Sequence, residues 1–61
     1  MDMNGREMVK LLKENGWKLE RIEGSHHIMK KNDREIVVPV HGSKSLKKGL
    51  LNAILKVAGL K

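Results

Sequence analysis

Ser25-His26-His27-Ile28-Met29-Lys30-Lys31-Asn32-Asp33-Arg34-Glu35-Ile36-Val37-Val38-Pro39-Val40 is the stretch that decides the fold. Asn32-Asp33 reads as a two-residue turn, because both residue types tolerate the left-handed backbone a tight hairpin requires. The flanking segments, from Ser25 to Lys31 and from Arg34 to Val40, then become two antiparallel strands. Pro39 lacks an N–H, so the second of them belongs at a sheet edge or ends there. A turn centred on Asn32-Asp33 also sets the register. It puts His26 opposite Pro39, Ile28 opposite Val37 and Met29 opposite Ile36.

Side chains alternate between the two faces of a strand. One face therefore carries His26, Ile28, Lys30, Glu35, Val37 and Pro39. The other carries His27, Met29, Ile36, Val38 and Val40. The second set is more apolar and is assigned to the core, with His27 at its margin. His26 falls on the open face, near His41. A slip of one residue in the turn would exchange the two faces.

Upstream, Trp17-Lys18-Leu19-Glu20-Arg21-Ile22-Glu23 mostly alternates and reads as a further strand, ended by Gly24. Before it, Asn4 and Glu7 have the spacing of a capping box. Met8, Val9, Leu11 and Leu12 recur at helical spacing, and Gly16 sits where a helix C-terminus favours glycine. This predicts a helix from about Gly5 to Asn15. Downstream, His41-Gly42-Ser43-Lys44-Ser45 is a loop. Leu50, Leu51, Ala53, Ile54, Leu55, Val57 and Ala58 make a second helical run, closed by Gly59. Ser45 is one candidate for its cap, and Gly49 marks a later start. Its apolar arc is wide, which means deep packing or a partner.

The order is α-β-β-β-α. It predicts an α+β domain spanning residues 1–61, a three-stranded antiparallel sheet with both helices on one face. That is the order of the double-stranded-RNA-binding fold.

With 61 residues the core is small. No cysteine is present, so no disulfide or thiolate site staples the chain. This suits a reducing compartment, and a cytoplasmic location is expected. No apolar run reaches the roughly 18–20 residues of a membrane span, and no membrane partner is expected. The net charge is +6, with the charged residues read as spread along the chain. Such a surplus favours a polyanionic partner. One Trp is the only aromatic of the Phe, Tyr and Trp class. Base stacking on a platform of rings is therefore excluded as the main mode of RNA binding.

Histidine is the side chain whose unperturbed pKa lies nearest neutral pH. Gly24-Ser25-His26-His27 puts two imidazoles beside a glycine turn. Adjacent strand residues point to opposite faces, so the two rings do not form one acid–base pair. Lys30, Lys44, Lys47 and Lys48 are candidate phosphate contacts, and His41 is a possible second acid–base group. No helical HxxxH pair with a supporting carboxylate is present, so neither a metal nor another cofactor is expected.

Gly16-Trp17, Gly24-Ser25-His26-His27, Val37-Val38-Pro39-Val40-His41, Leu46-Lys47-Lys48-Gly49 and Ile54-Leu55-Lys56-Val57-Ala58-Gly59-Leu60 together resemble the HicA family. These are small, YcfA-like toxins of toxin–antitoxin pairs, and the resemblance covers nearly the whole chain. It implies a double-stranded-RNA-binding-like fold, cleavage of mRNA, and neutralisation by a HicB antitoxin. It also implies a catalytic histidine directly after the Gly-Ser pair, here His26. Some members keep only the following histidine, here His27, so the choice between the two stays open. Gly24 and Ser25 would support the strand start. Two rival readings remain from the residues alone. One is a non-catalytic RNA-binding module. The other is a protein-interaction domain docking through Ile28 and Val37.

Overall fold

A computed structural model describes residues 2–61 of the chain; Met1 of the expected domain lies outside the described residues. The elements are α1 (Gly5–Glu14), β1 (Lys18–Glu23), β2 (His26–Lys31), β3 (Arg34–Pro39) and α2 (Lys48–Val57). The strands form one antiparallel sheet in the order β1-β2-β3, so β2 is central and β3 is an edge. The α-β-β-β-α expectation holds.

The hairpin register is the one the turn dictates: His26 faces Pro39, Ile28 faces Val37 and Met29 faces Ile36. Asn32 takes the left-handed backbone, with φ 54°. The Val40 N–H donates to the Ser25 carbonyl at 2.7 Å. In the alternation of antiparallel ladders, this makes His26–Pro39 a non-hydrogen-bonded pair. The missing N–H of Pro39 therefore falls on the solvent side of the edge strand, where a donor is not needed.

Both helices pack against the face bearing Met29, Ile36 and Val38. Met8, Val9 and Leu12 of α1 and Leu51 and Ile54 of α2 join these residues and Trp17 in one buried cluster. Burial of a side chain such as Leu12 or Met29 contributes about 1.5–3 kcal/mol. The wide apolar arc of α2 is only partly used, because Leu50 and Val57 stay exposed.

The two helices start differently and stop alike. At the start of α1 the Asn4 side chain accepts the Glu7 N–H, and the Glu7 carboxylate accepts the Asn4 N–H, each at 2.9 Å. The capping box is thus complete. For α2 Ser45 does not prove to be the cap, and the helix starts at Lys48, one residue before Gly49. Lys47 occupies the cap position and makes no side-chain capping bond. Ser45 is drawn off into an isolated β-bridge with Asn4, beside the bond from the Leu46 N–H to the Met3 carbonyl.

Each helix ends in a Schellman motif. Trp17 N–H bonds to the Leu12 carbonyl and Gly16 N–H to that of Lys13; Leu60 bonds to Leu55 and Gly59 to Lys56 in the same pattern. Two cations flanking the hairpin turn then bind the helix ends. Lys31 Nζ donates to the Asn15 carbonyl at 3.0 Å, and Arg34 donates to the Val57 carbonyl at 2.9 Å. Positive charge at the negative pole of a helix is stabilising. The β2–β3 turn therefore clamps both helices to one end of the sheet.

Candidate active site

The opposite end of the sheet carries the histidines. Gly24, with φ 60°, leads the two-residue connection between β1 and β2, and open space surrounds the place a Cβ would occupy. This is the glycine-first arrangement favoured in tight hairpins. It delivers His26 as the first residue of β2, opposite Glu23 of β1 and Pro39 of β3. His26 is exposed, on the face the helices leave uncovered.

His27 points to the other face, opposite Ile22 and Val38. It is half-buried at the core margin, and its Nδ1 is buried without a hydrogen-bond partner. The two neighbouring imidazoles therefore occupy different environments on opposite sides of the sheet.

The end of β3 is held from behind. A Cβ on Gly5 would collide with the Pro39 carbonyl oxygen and lie 2.9 Å from Val40 Cα. The first turn of α1 thus rests directly on the backbone whose other side supports Pro39 against His26. Beyond Pro39 the chain turns, with the Lys44 N–H bonding to the His41 carbonyl at 3.0 Å. A groove of about 240 Å³ opens there, lined by Pro39, His41, Lys44, Ser45, Lys47 and Leu50, with Leu46. At its rim the uncapped first turn of α2 leaves backbone N–H groups free of side-chain partners.

The candidate residues are therefore only partly gathered. His41, Lys44 and Lys47 share the groove, and Pro39 joins it to His26. Lys48 faces a different groove, with Asn52, Leu55 and Lys61. Lys30 lies four residues along β2 from His26, about 13 Å at strand rise. It lines the groove at the far end of the sheet and pairs with Glu20 at 3.5 Å. Pro39 and Leu50 complete the near groove without having been singled out for it. The X-Pro edge signal concerns backbone donors and carries no hint of a pocket wall.

The open face is also less apolar than its residue types suggest. Val37 is 47% exposed, but Ile28 is only 2% exposed although it stands outside the main core cluster. Arg21 and Val37 are its cross-strand neighbours. Arg21 is itself fixed by Glu23, at 2.6 Å, and by Glu20. The hydrogen bond to Glu23, then the nearby carboxylates, hold the Arg21 guanidinium above its ordinary pKa. Glu20 reaches this position through a β-bulge between Leu19 and Arg21. Among the described residues, no group of three or more His, Asp or Glu side chains is placed to hold a metal ion. Nor does any helix among them have the length and apolarity to cross a membrane.

Two helices on one face of a three-stranded antiparallel sheet, with a basic surplus and a histidine on the open face, define a small basic α+β domain of α-β-β-β-α order. Residues 5–60 match the family model described as the HicA toxin of bacterial toxin–antitoxin systems. The chain belongs to the HicA toxin family, and it is the toxin of a toxin–antitoxin pair. No curated protein matches the chain at a significant level.

Proposed function

We propose that this toxin is an endoribonuclease that cleaves mRNA with His26 as general acid–base. One observation carries the reading: His26 is exposed on the sheet face free of helices, backed by Pro39, at the edge of a groove holding His41, Lys44 and Lys47. RNA brings its own nucleophile. The 2′-oxygen attacks the adjacent phosphorus, the bond to the 5′-oxygen breaks, and a 2′,3′-cyclic phosphate and a 5′-hydroxyl result. The proton of the 2′-hydroxyl passes to a base, and the 5′-oxygen acquires one.

A single placed imidazole accelerates such proton transfer about 10²–10⁴-fold. His26, as the single acid–base group, takes the first proton and returns one to the 5′-oxygen; His41 is a possible second acid–base group. Lys44 and Lys47 stabilise the charge that develops on the phosphorane-like transition state. These groups require no metal ion. An mRNA substrate places the action in the cytoplasm, and a HicB-like antitoxin is the partner that restrains it.

The test is an RNA cleavage assay in EDTA, comparing the protein with His26→Ala and His27→Ala. Loss of cleavage in His26→Ala alone is expected. Loss in His27→Ala alone moves the chemistry to the half-buried ring. Cleavage abolished by EDTA replaces the mechanism with a metal-dependent one. Duplex RNA bound and never cut by the unsubstituted protein leaves the non-catalytic binding module in its place.

A further inference from the structure

The basic surplus is not spread over the molecule. Residues 36–61 hold five lysines and no Asp or Glu, so five of the six surplus positive charges lie in the last stretch of chain. Among the described residues, every salt bridge joins Arg21 or Lys30 to Glu20 or Glu23, all on β1 and β2. On the sheet, Arg21 and Lys30 pair with carboxylates, and Lys31 and Arg34 bind helix carbonyls. The loop before α2 and α2 itself carry no Asp or Glu.

These unneutralised lysines are arranged along one flank of the helix. Lys48, Asn52 and Lys61 border a groove of about 320 Å³ floored by Leu51, Leu55 and Leu60. Asn52, Lys56 and Lys61 border the next, with Ala53. Lys61 Nζ donates to the Asn52 side chain at 2.7 Å, which draws the terminal lysine back onto this flank. Lys48 to Lys56 spans eight residues, about 12 Å of helix. Lys47 and Lys48 are adjacent, so the flank begins where the groove beside Pro39 ends.

We propose that this flank, through Lys48, Lys56 and Lys61, is a second phosphate-binding surface, which carries the RNA strand away from the His26 groove. The proposal rests on the reading of the protein as an RNA-cleaving toxin. A nucleic-acid backbone suits the flank better than an acidic protein does. Lysine is depleted from protein interfaces, which favour aromatic, Met and Arg anchors. Here the residues bordering the grooves with the lysines are Leu51, Asn52, Ala53, Leu55 and Leu60, none of them an aromatic, Met or Arg anchor. Lysine as a point charge suits phosphate, and without an aromatic ring lining the two grooves the bases have nothing there to stack on.

The experiment measures binding of a single-stranded RNA with 2′-O-methyl riboses, which has no free 2′-nucleophile, across a series of salt concentrations. Lys56→Gln/Lys61→Gln is compared with Lys10→Gln/Lys13→Gln, a change of equal charge on α1. Each single-strand phosphate contact contributes about 0.7 to the slope of log affinity against log salt. The α2 pair is expected to weaken binding severalfold and to reduce that slope by about 1.4, while the α1 pair changes neither.

Equal losses in the two pairs, or polyglutamate of matched charge binding as tightly as RNA with the same lysine dependence, overturn the proposal. Binding with the expected slope change, but no cleavage of unmodified RNA, sustains the surface and removes the nuclease. Cleavage with an unchanged slope does the reverse. No RNA binding by the unsubstituted protein removes both.

Discussion

The same substitution at two glycines, Gly5→Ala and Gly49→Ala, is expected to change stability in opposite directions. Both residues lie in the first turn of a helix, Gly5 in α1 and Gly49 in α2, and neither has a positive φ. Alanine is favoured over glycine in a helix by up to about 1 kcal/mol, chiefly because it loses less backbone entropy. At Gly49 nothing lies within 4 Å of the added Cβ. The propensity gain is therefore uncontested, and stabilisation of about 0.5–1 kcal/mol follows.

At Gly5 the same methyl meets the backbone of β3. Its contact with Val40 Cα would be 2.9 Å, whereas carbon pairs rest at about 3.5–4.0 Å. The Pro39 carbonyl oxygen is closer still, and neither atom can rotate away. Overpacking of this kind costs about 1–3 kcal/mol, more than the propensity gain returns. The net expectation is a loss of about 1–2 kcal/mol. In a domain this small each kcal/mol moves Tm by about 4–8 °C. Gly5→Ala should melt about 5–15 °C below the unsubstituted protein and Gly49→Ala a few degrees above it. Trp17, 3% exposed in the native fold, serves as the fluorescent reporter. A Gly5→Ala variant as stable as Gly49→Ala would refute the claim that α1 rests on the end of β3.

Three further outcomes follow from other contacts. Lys31→Ala and Arg34→Ala each remove a cation from a helix C-terminus; each should cost about 0.3–1 kcal/mol, with a smaller loss in high salt, measured by urea denaturation. Gly24→Ala meets no atom but must hold φ 60°. The strain of about 1–2 kcal/mol should lower the melting temperature, and Gly24→Asn should recover part of it, because asparagine tolerates this region.

How far the chain could be read from its letters depended on how local each cause was. The β2–β3 register followed from Asn32-Asp33 because a two-residue turn leaves no freedom in the pairing. The capping box of α1 was legible for the same reason, since all its partners lie within four residues. The β-bulge at Glu20 shows only as a break in alternation, with Leu19 and Ile22, three residues apart, on one face of the sheet, and such a break does not say which residue is unpaired. Ser45 was a reasonable cap by type, but its backbone is claimed by Asn4, more than forty residues away in sequence. Ile28 is of a type suited to docking, and only the fold shows that it is buried. Among the candidate site residues, type was readable and assembly was not. Lys30 and Lys48 have the right charge and fall outside the groove that His41, Lys44 and Lys47 share.

The position of His26 depends on backbone contacts more than on side-chain bonds. Among the described residues its ring has no hydrogen-bonded partner, whereas the backbone around it is fixed on three sides. Gly24 sets its entry into β2, the Ser25–Val40 bond holds β3 alongside, and Gly5 presses α1 against the end of that strand. A ring held this way keeps both nitrogens free to accept and release a proton, as general acid–base work requires. It also makes the site sensitive to a residue on the other side of the sheet. A methyl at position 5 that moves Pro39 by half an ångström moves the wall His26 rests against, and misplacement on the scale of 1 Å can cost about 10²-fold in rate. Gly5→Ala should therefore lose more RNA cleavage than its stability predicts when both are measured well below Tm, and a loss no greater than that of Lys31→Ala, at the far end of the sheet, would separate the helix contact from the chemistry.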